Sequence, residues 1–338
     1  MTQSNEGTVL VVGGAGYIGS HCLHELRRQG FDTLCYDNLS EGHAAAAAGT
    51  ELIRGDLDDG AKLDALFSSR KIRAVFHFAA NCYVGESCEN PQKYYFNNVA
   101  STLVLLRSML KAGVKRFIFS STAATFGNPV TEKIDETHPQ NPINPYGRTK
   151  LMIEQILSDY HAAYGLAYVA LRYFNAAGAA PGGAIGEDHE PETHLIPLVI
   201  KAALGQRADI KIFGGDYPTP DGTCIRDYIH IVDLAKAHVL GLAHLEKGGA
   251  STSFNLGNGH GYSVKQVIDT VEKVTGKKIQ RQVVDRRPGD PPVLVADYAR
   301  AARVLGWKQE FGDLETIVRT AWEWHSRRPK GYEDRPRP

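Results

Sequence analysis

The sequence has no surplus of charge of either sign: 38 Lys and Arg stand against 38 Asp and Glu in 338 residues. Without a net basic field it lacks the long-range attraction that nucleic acid or an anionic membrane surface would require. Cysteine is scarce and odd in number. The five residues, Cys22, Cys35, Cys82, Cys88 and Cys224, show neither C-x-x-C nor metal-ligand spacing. They read as free thiols of a reducing cytoplasm rather than a disulfide framework, and no metal site is expected. No apolar run is long enough to span a bilayer, and the polar start MTQSNEG has neither the basic stretch nor the apolar core of an export signal. A cytoplasmic protein is expected, long enough for two domains or one domain with a large lobe.

What is present is an alternation. The short apolar runs TVLVVG, FDTLCYDN, TELIRGD, RAVFHFAA, KRFIFSS and AYVALRYFN are separated by helical patterns, among them helices from about Tyr17, Pro91 and Tyr146. Strands that are apolar almost throughout, alternating with helices, predict parallel strands covered on both faces. After Asn175 the rhythm breaks into the Gly/Pro-rich loops AAGAAPGGAIGEDHEPE and FGGDYPTPDGT. The expected fold is therefore α/β, a doubly wound Rossmann-type parallel sheet with a smaller mixed α/β substrate-binding lobe. Residues 1–178 form the first domain, and segments from about 226 to 260 (RDYIHIVDLAKAHV and SFNLG) return to its sheet. Residues 179–338 form most of the lobe.

Two patterns carry chemistry. In VLVVGGAGYIGSHCLHELRRQG, Gly13, Gly14, Gly16 and Gly19 lie between a strand and a helix, in G-x-G-x-x-G spacing from Gly14. Such glycines allow a tight turn, close approach of backbone N–H groups to a pyrophosphate and close helix–sheet packing. Asp37 closes the second strand where an acid would bond the adenosine ribose and repel a 2′-phosphate, so NAD is favoured over NADP. In GDLDD, Asp56 and Leu57 suit an adenine contact or an ordinary solvated loop. The second pattern is NPYGRTK: Tyr146 and Lys150 at i and i+4 share one helix face. A phenolate at pH 7 costs roughly 4 kcal/mol. A neighbouring ammonium together with the positive nicotinamide of NAD+ would remove much of that cost and make Tyr146 a general base.

The glycine turn, Asp37, HFAA (His77–Ala80), FSST (Phe119–Thr122) and Tyr146-x-x-x-Lys150 together resemble the extended short-chain dehydrogenase/reductase superfamily. VGES, YYFNNV, LRYFNAAGA, FGGDYPTPDGTCIRDYIHIVDLA and RRPGDPP are similar to its UDP-glucose 4-epimerase family, and the likeness runs from about Thr8 to about Trp324. The resemblance implies a tightly held, recycled NAD. It also implies that a sugar 4-hydroxyl is oxidised to a 4-keto group and then reduced on its other face. Tyr146 would exchange the proton, Lys150 would hold the nicotinamide ribose, and Thr122, where relatives often carry serine, would bond the 4-oxygen. Around the cofactor it implies Gly13, Gly16, Tyr17, Ile18, Gly19, Asp37, Asn38, Asp56, Leu57, Phe78, Ala79, Ala80, Asn98, Ser120 and Tyr173.

Two phosphates call for cationic forks, which arginine supplies. Arg226 and Arg287 match the family's diphosphate ligands, while Arg286 reads as a surface salt bridge. The resemblance adds Asn175, Leu195, Phe213 for uracil, Asp290 for a ribose, and Leu294 beside the sugar. Ala123 and Ala124 follow Thr122 where a 4,6-dehydratase would need an Asp–Glu pair. Left open are a 4-epimerase of another UDP-sugar, such as a uronate or a pentose, and an NAD-binding regulator without catalysis. Val99, Leu103, Leu106, Leu110, Met152, Ile156 and Leu157 form apolar stripes that are either core or partner-facing, and the resemblance favours a homodimer.

Overall fold

Parallel pairing of short apolar strands organises the first half of the chain. The computed structural model describes residues 7–287 and 290–334. Strands β1 (Thr8–Val12), β2 (Thr33–Asp37), β3 (Glu51–Arg54), β4 (Ile72–His77), β5 (Arg116–Thr122) and β6 (Ala167–Tyr173) alternate with helices. These are α1 (Tyr17–Arg28), α2 (Gly60–Ser69), the short α3 (Val84–Glu89) and α4 (Pro91–Tyr94), α5 (Ser101–Lys111) and α6 (Pro145–Tyr164). The second half supplies β7 (Asn175–Ala177), α7 (Leu195–Ala203), β8 (Ile210–Phe213), β9 (Ile225–Arg226), β10 (Tyr228–His230), α8 (Ile231–Glu246) and β11 (Thr252–Leu256). It continues with β12 (Tyr262–Ser263), α9 (Val264–Thr275), β13 (Arg281–Val284), β14 (Val293–Leu294), α10 (Ala299–Leu305) and α11 (Leu314–Arg327).

The main sheet has seven strands in the order β11-β6-β5-β4-β1-β2-β3, and every neighbouring pair is parallel. Val9, Leu10, Val11 and Val12 are all sealed from solvent, as a strand covered on both faces requires. One face packs on α1 and α8 through Leu23, Leu26, Leu234 and Leu242. The other packs on α2, α5 and α6 through Leu63, Leu66, Leu105, Leu106, Ile153 and Leu157. Burial of each such side chain contributes about 1.5–3 kcal/mol. The strand order reverses between β1 and β4, so the crevice for a ligand opens at the carboxyl ends of those two strands.

A separate core joins α7, α9 and α11 to β8 through Ile196, Val199, Val267, Val271, Ile317, Val318 and Ile212. Of the segments expected to return to the main sheet, SFNLG does so as its edge strand β11. RDYIHIVDLAKAHV returns only through its helix: β10 pairs with β7 in a two-stranded ribbon outside the sheet, while α8 packs on the face of the main sheet. The helix expected from Pro91 is also interrupted, because Tyr95–Ala100 opens into a π-helical turn between α4 and α5. Such turns re-aim side chains and recur at functional sites.

Candidate active site

The loop from β1 to α1 is shaped by glycines that answer to different constraints. Gly13 has φ 74°, and a Cβ there would lie 2.5 Å from the Ala79 nitrogen, so the fold itself demands glycine. A Cβ on Gly19 would strike the Gly13 carbonyl, which lets α1 seat directly on the turn. Gly16 differs. Its φ is −77°, and a Cβ would meet nothing closer than Gly13 O at 3.5 Å. Neither backbone strain nor packing accounts for it. It also starts a helix with no side-chain cap and no acid in its first turn, leaving the positive end of α1 facing open space.

The predicted cofactor residues ring that turn. Asp37 accepts Ala15 N–H at 2.9 Å and Leu39 N–H at 2.8 Å, so its carboxylate ties the glycine loop to β2. Asn38 donates to the Asp56 carboxylate at 2.7 Å. Leu57 is core rather than surface. The Tyr17 hydroxyl donates to Gly178 O at 2.7 Å, and Ile18 packs on the same core as α8. Phe78 leads out of β4 against the His238 ring, 4.9 Å away, while Ala79 backs Gly13 and Ala80 follows it. Asn98, carried inward by the π turn and fully buried, accepts Asn81 N–H at 2.9 Å and donates to the Thr149 hydroxyl at 3.0 Å.

Helix α6 brings up the chemical pair. Asn144 caps it by accepting Gly147 N–H at 2.8 Å, and Pro145 occupies the first turn, where its missing N–H costs nothing. A Cβ on Gly147 would strike the Ala124 carbonyl, so this glycine lets the first turn of α6 press against the end of β5. Tyr146 is thereby set beside Thr122, and hydrogen bonding between them partly offsets the burial that raises the phenol pKa. The Thr122 oxygen accepts Ala124 N–H at 3.1 Å, which leaves its proton to donate elsewhere. Lys150 donates to Ser120 O at 2.8 Å and lies 4.9 Å over the Phe119 ring. Burial pushes its ammonium down to about 8, against the field of Cys82 and Glu154. Ser120 and Tyr173 share a short hydroxyl–hydroxyl bond. Burial leads in raising the Tyr146 phenol, and Cys82 adds to the rise.

Of the predicted substrate residues, Asn175, Phe213, Arg226, Arg287, Asp290 and Leu294 form a second group joined by the following contacts. Asn175, two residues beyond β6, donates its amide to Asp227 O at 2.8 Å. Arg226 follows from β9, bonded to Pro291 O at 2.8 Å and 3.4 Å from the Asp290 carboxylate. Leu294 lies opposite Arg226 in the β14–β9 register. Arg287 stacks over the half-exposed Phe213 ring at 4.4 Å, and Asp290 N–H donates to its carbonyl at 3.3 Å. Arg286 instead pairs with Asp216 at 2.7 Å, the surface bridge expected of it. Leu195 opens α7, half-buried.

The model of the NAD dependent epimerase/dehydratase family matches residues 9–257. The chain belongs to that NAD dependent epimerase/dehydratase family. It is 53% identical over 324 residues to the UDP-glucose 4-epimerase of Halalkalibacterium halodurans, covering 96% of this chain and 97% of that protein. Its structure matches that of a Brucella ovis UDP-glucose 4-epimerase in complex with NAD, with a TM-score of 0.91 and 50% identity over 93% of this chain and 97% of that one. A Bifidobacterium longum UDP-glucose 4-epimerase in complex with NAD+ and UDP matches with a TM-score of 0.91 and 41% identity over 96% of this chain and all of that one.

The epimerase/dehydratase cofactor fits what this chain presents. The space beside Gly16 and the uncapped start of α1 suit a pyrophosphate, while Asp37, Asn38 and Asp56 suit a nucleoside. Several residues at this epimerase/dehydratase site were not singled out from sequence. Glu154, one turn beyond Lys150, is buried with Arg172 and bonded to it at 2.5 to 3.1 Å, and it also accepts from Ser121 and Gln140. Its signal was the i+8 spacing from Tyr146, but Arg172 on β6 is invisible to local spacing. Cys82, exposed, bears on both Tyr146 and Lys150. Buried Asp227, whose carboxylate accepts from Asn258, Gly259 and Ala296 N–H groups, fixes the backbone beside Arg226.

Proposed function

We propose that this chain interconverts UDP-glucose and UDP-galactose by inverting C4 through a 4-keto sugar, with NAD held throughout the turnover. The observation that carries the reading is the meeting of Tyr146 and Thr122 at the end of β5, followed by Ala123 and Ala124 and no acid. An acid–base pair for eliminating water is missing from that turn, so oxidation at one alcohol has no dehydration to lead into. NAD, when bound, supplies a reversible hydride acceptor. Tyr146 takes the 4-hydroxyl proton and returns it, Thr122 donates to the 4-oxygen, and Lys150 keeps a positive charge beside both. Inversion requires one sugar to show both faces to one phenol. The diphosphate must therefore be clamped firmly and the sugar loosely: Arg226 and Arg287 provide forks for the phosphates, Phe213 a surface for uracil, Asp290 a ribose contact, and Asn175 and Leu195 line the approach.

On this reading, residues 1–178 with their returning segment hold the cofactor, and most of 179–338 holds the UDP-sugar. The enzyme works in the cytoplasm as a homodimer supplying nucleotide sugars and serving galactose metabolism. Support for the dimer is a set of exposed apolar side chains, Phe96 at 59%, Leu103 at 38% and Met152 at 39%, beside Leu106 and Leu157, which are core. The test is a panel of UDP-sugars assayed without added NAD. Interconversion of UDP-glucose and UDP-galactose without added NAD supports the reading, and turnover confined to a uronate or pentose overturns it.

Leu294 sets the width of the sugar pocket. A leucine in β14, opposite Arg226, leaves room for a 2-acetamido group, so UDP-N-acetylglucosamine is a further substrate. Leu294→Tyr is expected to lower kcat/KM for the acetylated sugar at least tenfold, about 1.4 kcal/mol, while sparing UDP-glucose. Equal effects on both sugars would contradict this.

A further inference from the structure

Between β7 and α7, the sequence Glu187-x-His189-x-x-Glu192-x-His194 folds so that four donor atoms lie within 4.8 Å of one another. Nδ1 of His194 is 2.9 Å from Glu187 Oε1 and 3.0 Å from Glu192 Oε1. Nδ1 of His189 is 3.2 Å from Glu187 Oε1 and 3.7 Å from Glu192 Oε2. Four ligands held tetrahedrally at the zinc–nitrogen and zinc–oxygen distance of about 2.0–2.2 Å stand about 3.3–3.6 Å apart, and the observed separations bracket that spacing.

Hydrogen bonding alone does not account for the arrangement. His189 Nδ1 is shielded from solvent, yet it makes no well-directed hydrogen bond, although two carboxylates stand beside it. The Glu187 and Glu192 side chains are 4% and 2% exposed. No Lys or Arg forms an ion pair with either among the described residues. Glu192 also accepts the Thr193 and His194 N–H groups at 2.7 and 2.8 Å, but beyond the two imidazoles no cation is paired with these buried carboxylates among the described residues, and buried acids are costly without one. A divalent ion between them and two neutral imidazoles gives a neutral cluster.

We propose that Glu187, His189, Glu192 and His194 bind one divalent transition-metal ion, of zinc's preferences, in a closed four-coordinate structural site. The donor set, two imidazoles and two carboxylates, suits zinc and disfavours calcium or magnesium, which take oxygen alone. All four protein ligands are supplied by one loop, leaving no open position for a reacting water. The site therefore braces rather than catalyses. Glu187 O accepts the indole N–H of Trp324 from α11 at 3.0 Å, the His189 ring stands 6.2 Å edge-on from that of Tyr17 in α1, and His194 is the cap of α7. The ion thus pins the start of α7, with Leu195, to the first turn of the helix behind the glycine loop. Cysteine spacing gives no sign of this site, because its ligands converge only once the loop is folded.

The test uses the untagged full-length chain, stripped with a chelator, loaded with Zn2+ or Co2+ and freed of excess metal by gel filtration. Elemental analysis is expected to find about one zinc per chain, and the cobalt form to show the visible bands of a tetrahedral site. Zinc is expected to raise Tm in the wild type. His189→Gln with His194→Gln is expected to lose both the metal and the Tm rise. A wild type that keeps no stoichiometric metal, or a double variant that keeps as much as the wild type, overturns the proposal. If the double variant does not fold, the wild-type metal content and cobalt spectrum decide alone.

Discussion

Tyr146 is required to ionise where burial opposes it. Desolvation raises its phenol, while Lys150, which sequence spacing nominates as its stabiliser, holds its ammonium on Ser120 O. Without cofactor burial prevails, and the positive nicotinamide of bound NAD+ is expected to add to the Lys150 ammonium in lowering the phenol. In NAD-free protein, difference titration of wild type against Tyr146→Phe is expected to show no phenolate at pH 7, and a phenolate appearing near pH 7 without NAD would contradict this. Tyr146→Phe is expected to lower kcat by about 10²–10⁴-fold with UDP affinity kept. Lys150 carries its own cost. Its value falls from 10.5 to about 8 on burial, so the folded state holds the proton less tightly than the unfolded chain. That penalty is full below about pH 8 and fades as pH rises towards 10.5. Lys150→Met is accordingly expected to raise Tm at pH 7 and abolish activity, its Tm advantage shrinking between pH 8 and 10. A Tm difference that does not change with pH would contradict this.

At the scale of elements, α6 is aligned by the buried pair Glu154–Arg172, both side chains under 10% exposed. Tyr146, Lys150 and Glu154 recur every four residues, so one helix face carries the base, the cation and the anchor to β6. Glu154→Leu leaves Arg172 buried without its counter-charge and is expected to cost about 3–5 kcal/mol in urea unfolding. Adding Arg172→Met is expected to recover most of it, and no recovery in the double variant would contradict the pairing. Here the limits of sequence reading are physical. The Tyr146–Lys150 spacing and the glycine turn were legible because helix period and turn sterics act within a few residues. The strand-to-strand position of Arg172, the π turn that buries Asn98, and the pairing of β10 with β7 depend on contacts far apart in the chain.

At the scale of the whole molecule, the doubly wound half packs one core on each face of its sheet, and the lobe of α7, α9, α11 and β8 packs a core of its own. The α/β class and parallel order were legible from alternating apolar runs, but the lobe's short strands were not, being only two to four residues long. The exposed apolar residues on the helices around Phe96 and Met152 are expected to be covered by a second copy. Leu103→Glu with Met152→Glu should convert a dimer to a folded monomer in sedimentation velocity, and a wild type that sediments as a monomer would contradict it. The central claim is that one hydride leaves C4 and returns to the same carbon within a single closed turnover. It is tested by incubating UDP-galactose deuterated at C4 with the purified enzyme and no added NAD. The expected result is UDP-glucose with deuterium fully retained at C4 and no free NADH, whereas loss of deuterium to solvent, or dependence on added NAD in every turnover, would contradict it.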